Sequence, residues 1–210
     1  MRFRMMTLIL LLWTTPTLAA NELTNGDFDT DVSGWGTFEP VFFVWDSLDV
    51  DADPGSGSMK LTTSPSPENS SFIGAVSECV GVSPGEVRSI AAWIYIPSGQ
   101  LQGIEATVEL ESFDSPGCRP LDSLGLEQGP ITNAIDEWVE LPFDALIPGN
   151  AVSSHVRIAA RRVGGGVLMA STVHFDAVFL PEPSTGASLL AGSVLMTALS
   201  GASRRKALSS

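Results

Sequence analysis

Carboxylates dominate the reactive side chains of this chain. Its 210 residues hold 24 Asp and Glu against 11 Lys and Arg, and between residues 21 and 180 the ratio is 23 to 6. Paired carboxylates can hydrolyse glycosides, but at this density acidic residues neighbour one another throughout, and no pair stands out. His155 and His174 lack a His-rich metal spacing. The run Ser153-Ser154-His155 is too local for a triad, whose members are assembled from distant positions. There is no Gly-x-Ser-x-Gly elbow, and Gly164-Gly165-Gly166 lacks the Lys and Ser or Thr of a phosphate loop. The expectation is a non-catalytic protein with no catalytic residues.

Binding chemistry is better represented. An acidic surface repels nucleic acid and anionic lipid and invites cations or neutral ligands, so no nucleic-acid partner is expected. Asp46, Asp49, Asp51 and Asp53 precede Pro54-Gly55, but without EF-hand spacing they read as a solvated loop. Sugars are held by aromatic faces flanked by polar groups. Trp45, beside Phe42 and Phe43, is the stacking candidate, and Tyr95, Glu105, Glu109 and Arg157 are candidate polar contacts. Trp93 and Trp138 lie inside strand patterns and read first as sheet packing. Cys79 and Cys118 are the only cysteines; in an exported protein an even count predicts one disulfide, and two thiols are too few for a cysteine metal site.

The elements that must position these groups read as short strands divided by Gly, Pro, Ser and Asp. Strands are expected over 39–45, 58–62, 72–82, 87–96, 104–110, 137–141, 152–163 and 173–180 from alternation and β-branched or aromatic content. The 87–96 segment is apolar on both faces, which predicts a central strand covered twice. Residues 113–130 read as a long Gly- and Pro-rich excursion holding Cys118. Many strands at short intervals, with no long helical period, predict an all-β antiparallel β-sandwich.

The motif Asn25-Gly26-Asp27-Phe28-Asp29, followed by Gly34-Trp35, resembles the opening of carbohydrate-binding modules built on the galactose-binding-like jelly roll. Gly57-Ser58-Met59-Lys60-Leu61, Val82-Ser83-Pro84-Gly85 and His174-Phe175-Asp176-Ala177-Val178-Phe179-Leu180 follow in the same order as in that family, so the likeness spans residues 21–180. It implies a polysaccharide or exopolymer as partner and Trp35 in the core. It also implies a structural calcium ion where the first and last strands meet, with Asp29 and Asp176 as ligands; Ala177 stands where the family has a second Asp. The rival reading is a structural envelope or matrix protein that makes protein contacts and binds no sugar.

The two ends carry their own patterns. Met1-Arg2-Phe3-Arg4, an apolar run from Met5 to Trp13 and the small residues up to Ala20 read as a signal peptide over 1–20. Pro181-Glu182-Pro183, an apolar stretch from Thr185 to Ala202 and Arg204-Arg205-Lys206 resemble the PEP-CTERM sorting signal of Gram-negative bacteria over 181–206. That resemblance implies a transmembrane-like helix over 185–202, a transient inner-membrane anchor and an exosortase-like processing enzyme as partner. Delivery would be to the cell surface, outer envelope or extracellular matrix.

Overall fold

The computed structural model describes residues 20–37, 42–63, 72–101, 103–163 and 170–182. They form twelve strands: β1 Gly36–Thr37, β2 Phe42–Asp46, β3 Ser58–Thr62, β4 Ile73–Val76, β5 Val80–Gly81, β6 Val87–Tyr95, β7 Gly103–Phe113, β8 Ser123–Thr132, β9 Trp138–Glu140, β10 Phe143–Leu146, β11 Ser153–Val163 and β12 Thr172–Phe179. The strands make two six-stranded sheets. The first runs β1-β4-β11-β7-β8 with β5 also on β11; the second runs β10-β6-β12-β3-β2 with β9 also on β6. Every pairing is antiparallel. This is the all-β sandwich the alternation predicts.

The core lies between the sheets because alternate residues of each long strand are apolar. Ile90, Ala92 and Ile94 of β6, Ile104, Ala106, Val108 and Leu110 of β7, Val156, Ile158 and Ala160 of β11, and Val173 and Phe175 of β12 are all buried. The opening motif closes the base of this core. Phe28 is fully buried, its ring 5.5 Å from that of Trp35, and the Trp35 indole N–H donates to the Asn25 carbonyl at 3.3 Å. Gly26 is required by a close approach: a Cβ there would fall 2.2 Å from the Val178 carbonyl oxygen. The Val178 amide donates to the Gly26 carbonyl at 2.9 Å, so the first loop is stitched to the last strand.

Several boundaries differ from the sequence pattern. The 72–82 segment breaks into β4 and β5 around Ser77, whose hydroxyl accepts the Val156 amide at 3.0 Å. Half of the 113–130 excursion is strand: after a 3₁₀ turn at Pro120–Asp122, β8 pairs along β7 with register shifts that accommodate its Gly and Pro residues. The β6 strand is central but covered on one face only, since Ala91, Trp93 and Tyr95 remain half-buried on the other. Cys79 and Cys118 are bonded to each other, with Cα atoms 5.7 Å apart.

The ends require a correction. No helix among the described residues is long and apolar enough to cross a membrane, so the transmembrane helix and the inner-membrane stage inferred from it are not carried forward. A span needs about 20 predominantly apolar residues, whereas 185–202 intersperses its Leu and Val with Thr185, Gly186, Ser188, Gly192, Ser193, Thr197, Ser200 and Gly201. That segment, the signal-peptide residues 1–19, Pro183 and Arg204-Arg205-Lys206 lie outside the described residues. Pro181 and Glu182 lie inside: Pro181 bridges to Asn21, and the Glu182 amide donates to the Ala20 carbonyl at 3.0 Å.

Candidate functional site

Three surfaces collect the polar and aromatic residues. The first is a pocket of about 230 Å³ where the opening loop, the loop after β2 and β12 meet, lined by Asp27, Asp29, Asp49, Val50, Asp51, Asp53, Ser56, Asp176 and Ala177. Asp29 and Asp176 are thus brought to one place, and Asp49, Asp51 and Asp53 of the acidic run come with them, while Asp46 pairs with Lys60. Asp176 is 2% exposed. Its carboxylate accepts the Val50 amide at 2.9 Å and the Ala177 amide at 2.7 Å. Burial pushes this carboxyl up to about 6 despite those hydrogen bonds, and the charges of Asp49 and Asp27 add to the rise. Asp27 is raised too, by burial and then by Asp29. No cationic side chain lines the pocket. Among the described residues no group of three or more such side chains is set as a metal site. The chemistry of the donors nevertheless fits a hard cation, because crowded carboxylates without a counter-charge are what calcium's oxygen shell uses.

The second surface is the outer face of the first sheet. Register places His155 opposite Glu111, Arg157 opposite Glu109, Ala159 opposite Thr107 and Arg161 opposite Glu105. Glu105, Glu109 and Arg157 therefore do share a face, but as an ion-pair lattice. Arg161 meets Glu105 at 2.8 Å beneath the Phe72 ring, while Arg157 contacts Glu109 at 3.3 Å and Glu111 at 3.1 Å. Hydrogen bonding from His155 pulls the Glu111 carboxyl down to about 2. Burial pushes Glu109 up, with Arg157 opposing. Glu109, Thr107 and Ala159 are buried, so the centre of this face presents little to a ligand.

The third surface is the outer face of the second sheet. One cross-strand row runs Val44, Lys60, His174, Tyr95, Trp138 across five strands. In the next, Asp176, Trp93 and Glu140 stand abreast. The Tyr95 and Trp138 rings lie 5.4 Å apart, and the Tyr95 ring meets His174 edge-on at 6.1 Å. His174 is buried, its Nδ1 3.1 Å from the Ser58 hydroxyl, and burial holds it down to about 4. Further along β6, Ala91 pairs with Phe179, and Ser89 with Asp144. The small Ala91 opens a groove of about 430 Å³ bordered by Ser89, Phe143, Asp144, Phe179 and Pro181. Tyr95, Trp93, Ala91 and Ser89 point the same way, so the track they form is about 20 Å long at the rise of an extended strand.

Trp45 belongs to none of these surfaces. It pairs with the buried Met59, its indole N–H donates to the Phe28 carbonyl at 2.7 Å, and its ring occupies the space over Gly57, where a Cβ would come within 2.6 Å of it. It caps the rim of the core. Tyr95 lies on the opposite side of the sandwich from Glu105, Glu109 and Arg157. The aromatics that accompany Tyr95 are Trp138 and Trp93; the alternation of β6 and the outward position of Trp93 in it are the signal that points to them.

No family model and no curated protein matches the chain. Solved structures do. The xylanase 10B CBM22-1–GH10 modules of Clostridium thermocellum, solved with xylohexaose, match at 17% identity and a TM-score of 0.57, over 79% of this chain and 29% of that one. The C-terminal family 22 carbohydrate-binding module of the same xylanase matches at 15% identity and 0.52, over 76% of this chain and 93% of the module. The CBM22-2 xylan-binding domain of a Paenibacillus barcinonensis xylanase matches at 10% and 0.51, over 77% and 98%. The fold is an all-β jelly roll similar to that of these modules. At these identities the jelly-roll fold alone is shared.

Proposed function

We propose that the chain is an exported, non-catalytic domain that binds a polysaccharide along the outer face of its second sheet. The observation that carries this reading is the Trp138–Tyr95–Trp93 track, half-buried aromatic rings on the outer face of the sheet. Such rings offer apolar area to the C–H faces of sugars, and neighbouring polar groups take their hydroxyls. The match to nearly the whole length of isolated binding modules supports a stand-alone binding role, and the disulfide suits an oxidising compartment outside the cytoplasm. Calcium would be held by Asp29 and Asp176, with Asp27 and Asp49 in reach, and would supply the positive charge this pocket lacks. Asp176 and Trp93 being directly opposed, calcium there would steady the strand that backs the track.

A glycan array with the full chain, run with calcium and with chelator, tests the reading. Binding to one polymer class, lost in Trp138→Ala, is the expected result. Silence in both conditions from a folded chain would leave the sandwich as a structural protein making protein contacts.

A further inference from the structure

One margin of the aromatic track is built of carboxylates. Glu140 stands directly opposite Trp93, and Asp144 directly opposite Ser89. Asp136 accepts the Tyr95 hydroxyl at 3.3 Å. All three are exposed, and none of them is in an ion pair among the described residues. Of the basic side chains in the track's central row, Lys60 is held by Asp46 at 3.1 Å and His174 is buried against the Ser58 hydroxyl. The face thus presents aromatic rings beside uncompensated negative charge, levels about 7 and 13 Å apart along β6. Hydroxyls alone do not call for that arrangement. Ammonium groups do: they are attracted both to carboxylates and to the faces of Trp and Tyr. A polymer of uronic acids would be repelled.

We propose, on the strength of the polysaccharide reading above, that the ligand of this face is a linear polysaccharide bearing free amino groups, whose ammoniums are met by Glu140, Asp144 and Asp136 while its rings stack on Trp138 and Trp93. Asp136 also caps the loop after β6 by accepting the Ser98 amide at 2.8 Å, so Glu140 and Asp144 are the positions at which charge can be removed without disturbing the backbone. A basic protein surface would meet the same carboxylates, but it would not need the rings.

The test is titration calorimetry of the full chain, in mildly acidic buffer, with hexasaccharides of β-1,4-linked glucosamine in fully deacetylated and fully acetylated forms, and with xylohexaose. The expected result is about tenfold tighter binding of the deacetylated chain, a preference erased by high salt and by Glu140→Gln/Asp144→Asn, with all binding lost in Trp138→Ala. Equal binding of the acetylated or xylose chains, lost in Trp138→Ala but unchanged in the double variant, overturns the amino-sugar proposal and leaves polysaccharide binding intact. Preference for the deacetylated chain that survives in Trp138→Ala, and is matched by polylysine, overturns it in favour of general charge attraction. No binding of any of the three by a folded chain removes both.

Discussion

Asp176 faces Trp93 across the β12–β6 ladder, so a single strand position joins the acidic pocket to the aromatic track. The carboxylate also holds the acidic loop through the Val50 amide. A cation in the pocket would bind the folded chain and not the unfolded one. At a hundredfold excess over its dissociation constant it would add about 2.7 kcal/mol, or roughly 5–10 °C in Tm for a domain of this size. Calcium should therefore raise the wild-type Tm at neutral pH, and the gain should shrink in Asp29→Asn and Asp176→Asn. Equal gains in all three chains would remove these two residues as ligands.

Without calcium, Asp176 should make the fold less stable as pH rises. Its carboxyl titrates near 6 when folded, against 3.8 for the free group. Across that window the folded chain keeps a proton that the unfolded chain has released. Stability from this group is full below about pH 4 and lost as pH climbs through 6, on the order of 3 kcal/mol in all. In chelator, Asp176→Asn should be more stable than wild type at neutral pH and level with it near pH 4. Urea melts at both pH values check this, and a destabilised variant at neutral pH would contradict it.

His174, two residues away, has the opposite slope. Burial lowers it to about 4 from 6.5, so on acidification the unfolded chain takes up its proton first. Its contribution is present above about pH 6.5 and lost as pH falls through 4, again on the order of 3 kcal/mol. The two effects offset each other in the wild type and should flatten its stability between pH 4 and 6. His174→Gln should uncover the fall with rising pH due to Asp176, and Asp176→Asn the rise due to His174. Parallel curves for the two variants would rule out this pairing.

Strand periodicity was strong where one face is buried, as in β3, β6 and β11, because alternation there is enforced by the core. It was weak in β8, where Gly125, Gly129 and Pro130 look like loop residues. They are tolerated because the strand lies at the sheet edge, with shifted register. The site was harder to read. Single-residue logic points to Trp45 for its flanking Phe residues; its indole hydrogen bond to Phe28 depends on a loop brought in from elsewhere in the chain. Alternation shows that Glu105, Glu109 and Arg157 share a face with their neighbours. It does not show that the charges neutralise one another across strands, which only register decides.

The Cys79–Cys118 bond closes a separation of 39 residues. In the chain-entropy account a loop of that length is worth about 4 kcal/mol. It also fixes the segment between β7 and β8 against the start of β5, next to Ser153, whose hydroxyl donates to the Ser115 carbonyl at 2.6 Å. Cys79→Ser/Cys118→Ser should lower the unfolding free energy by about 2–4 kcal/mol while leaving glycan affinity within about twofold, since the track is on the other sheet. A chemical melt and one titration measure both quantities.

The two outer faces can be told apart by a pair of substitutions. Glu109 is 1% exposed and meets Arg157 at 3.3 Å and the Gln128 amide at 3.1 Å. Burial already disfavours the Glu109 charge despite Arg157, and Arg157 keeps Glu111 when it is removed. Glu109→Gln should therefore change stability by no more than about 1 kcal/mol and leave glycan binding unchanged. Trp138→Ala removes a half-buried ring from an outer face, so it should weaken glycan binding at least tenfold while lowering Tm only modestly. If the effects are exchanged, with affinity falling in Glu109→Gln and holding in Trp138→Ala, the ligand lies on the first sheet, where the ion-pair lattice would have to open to admit it.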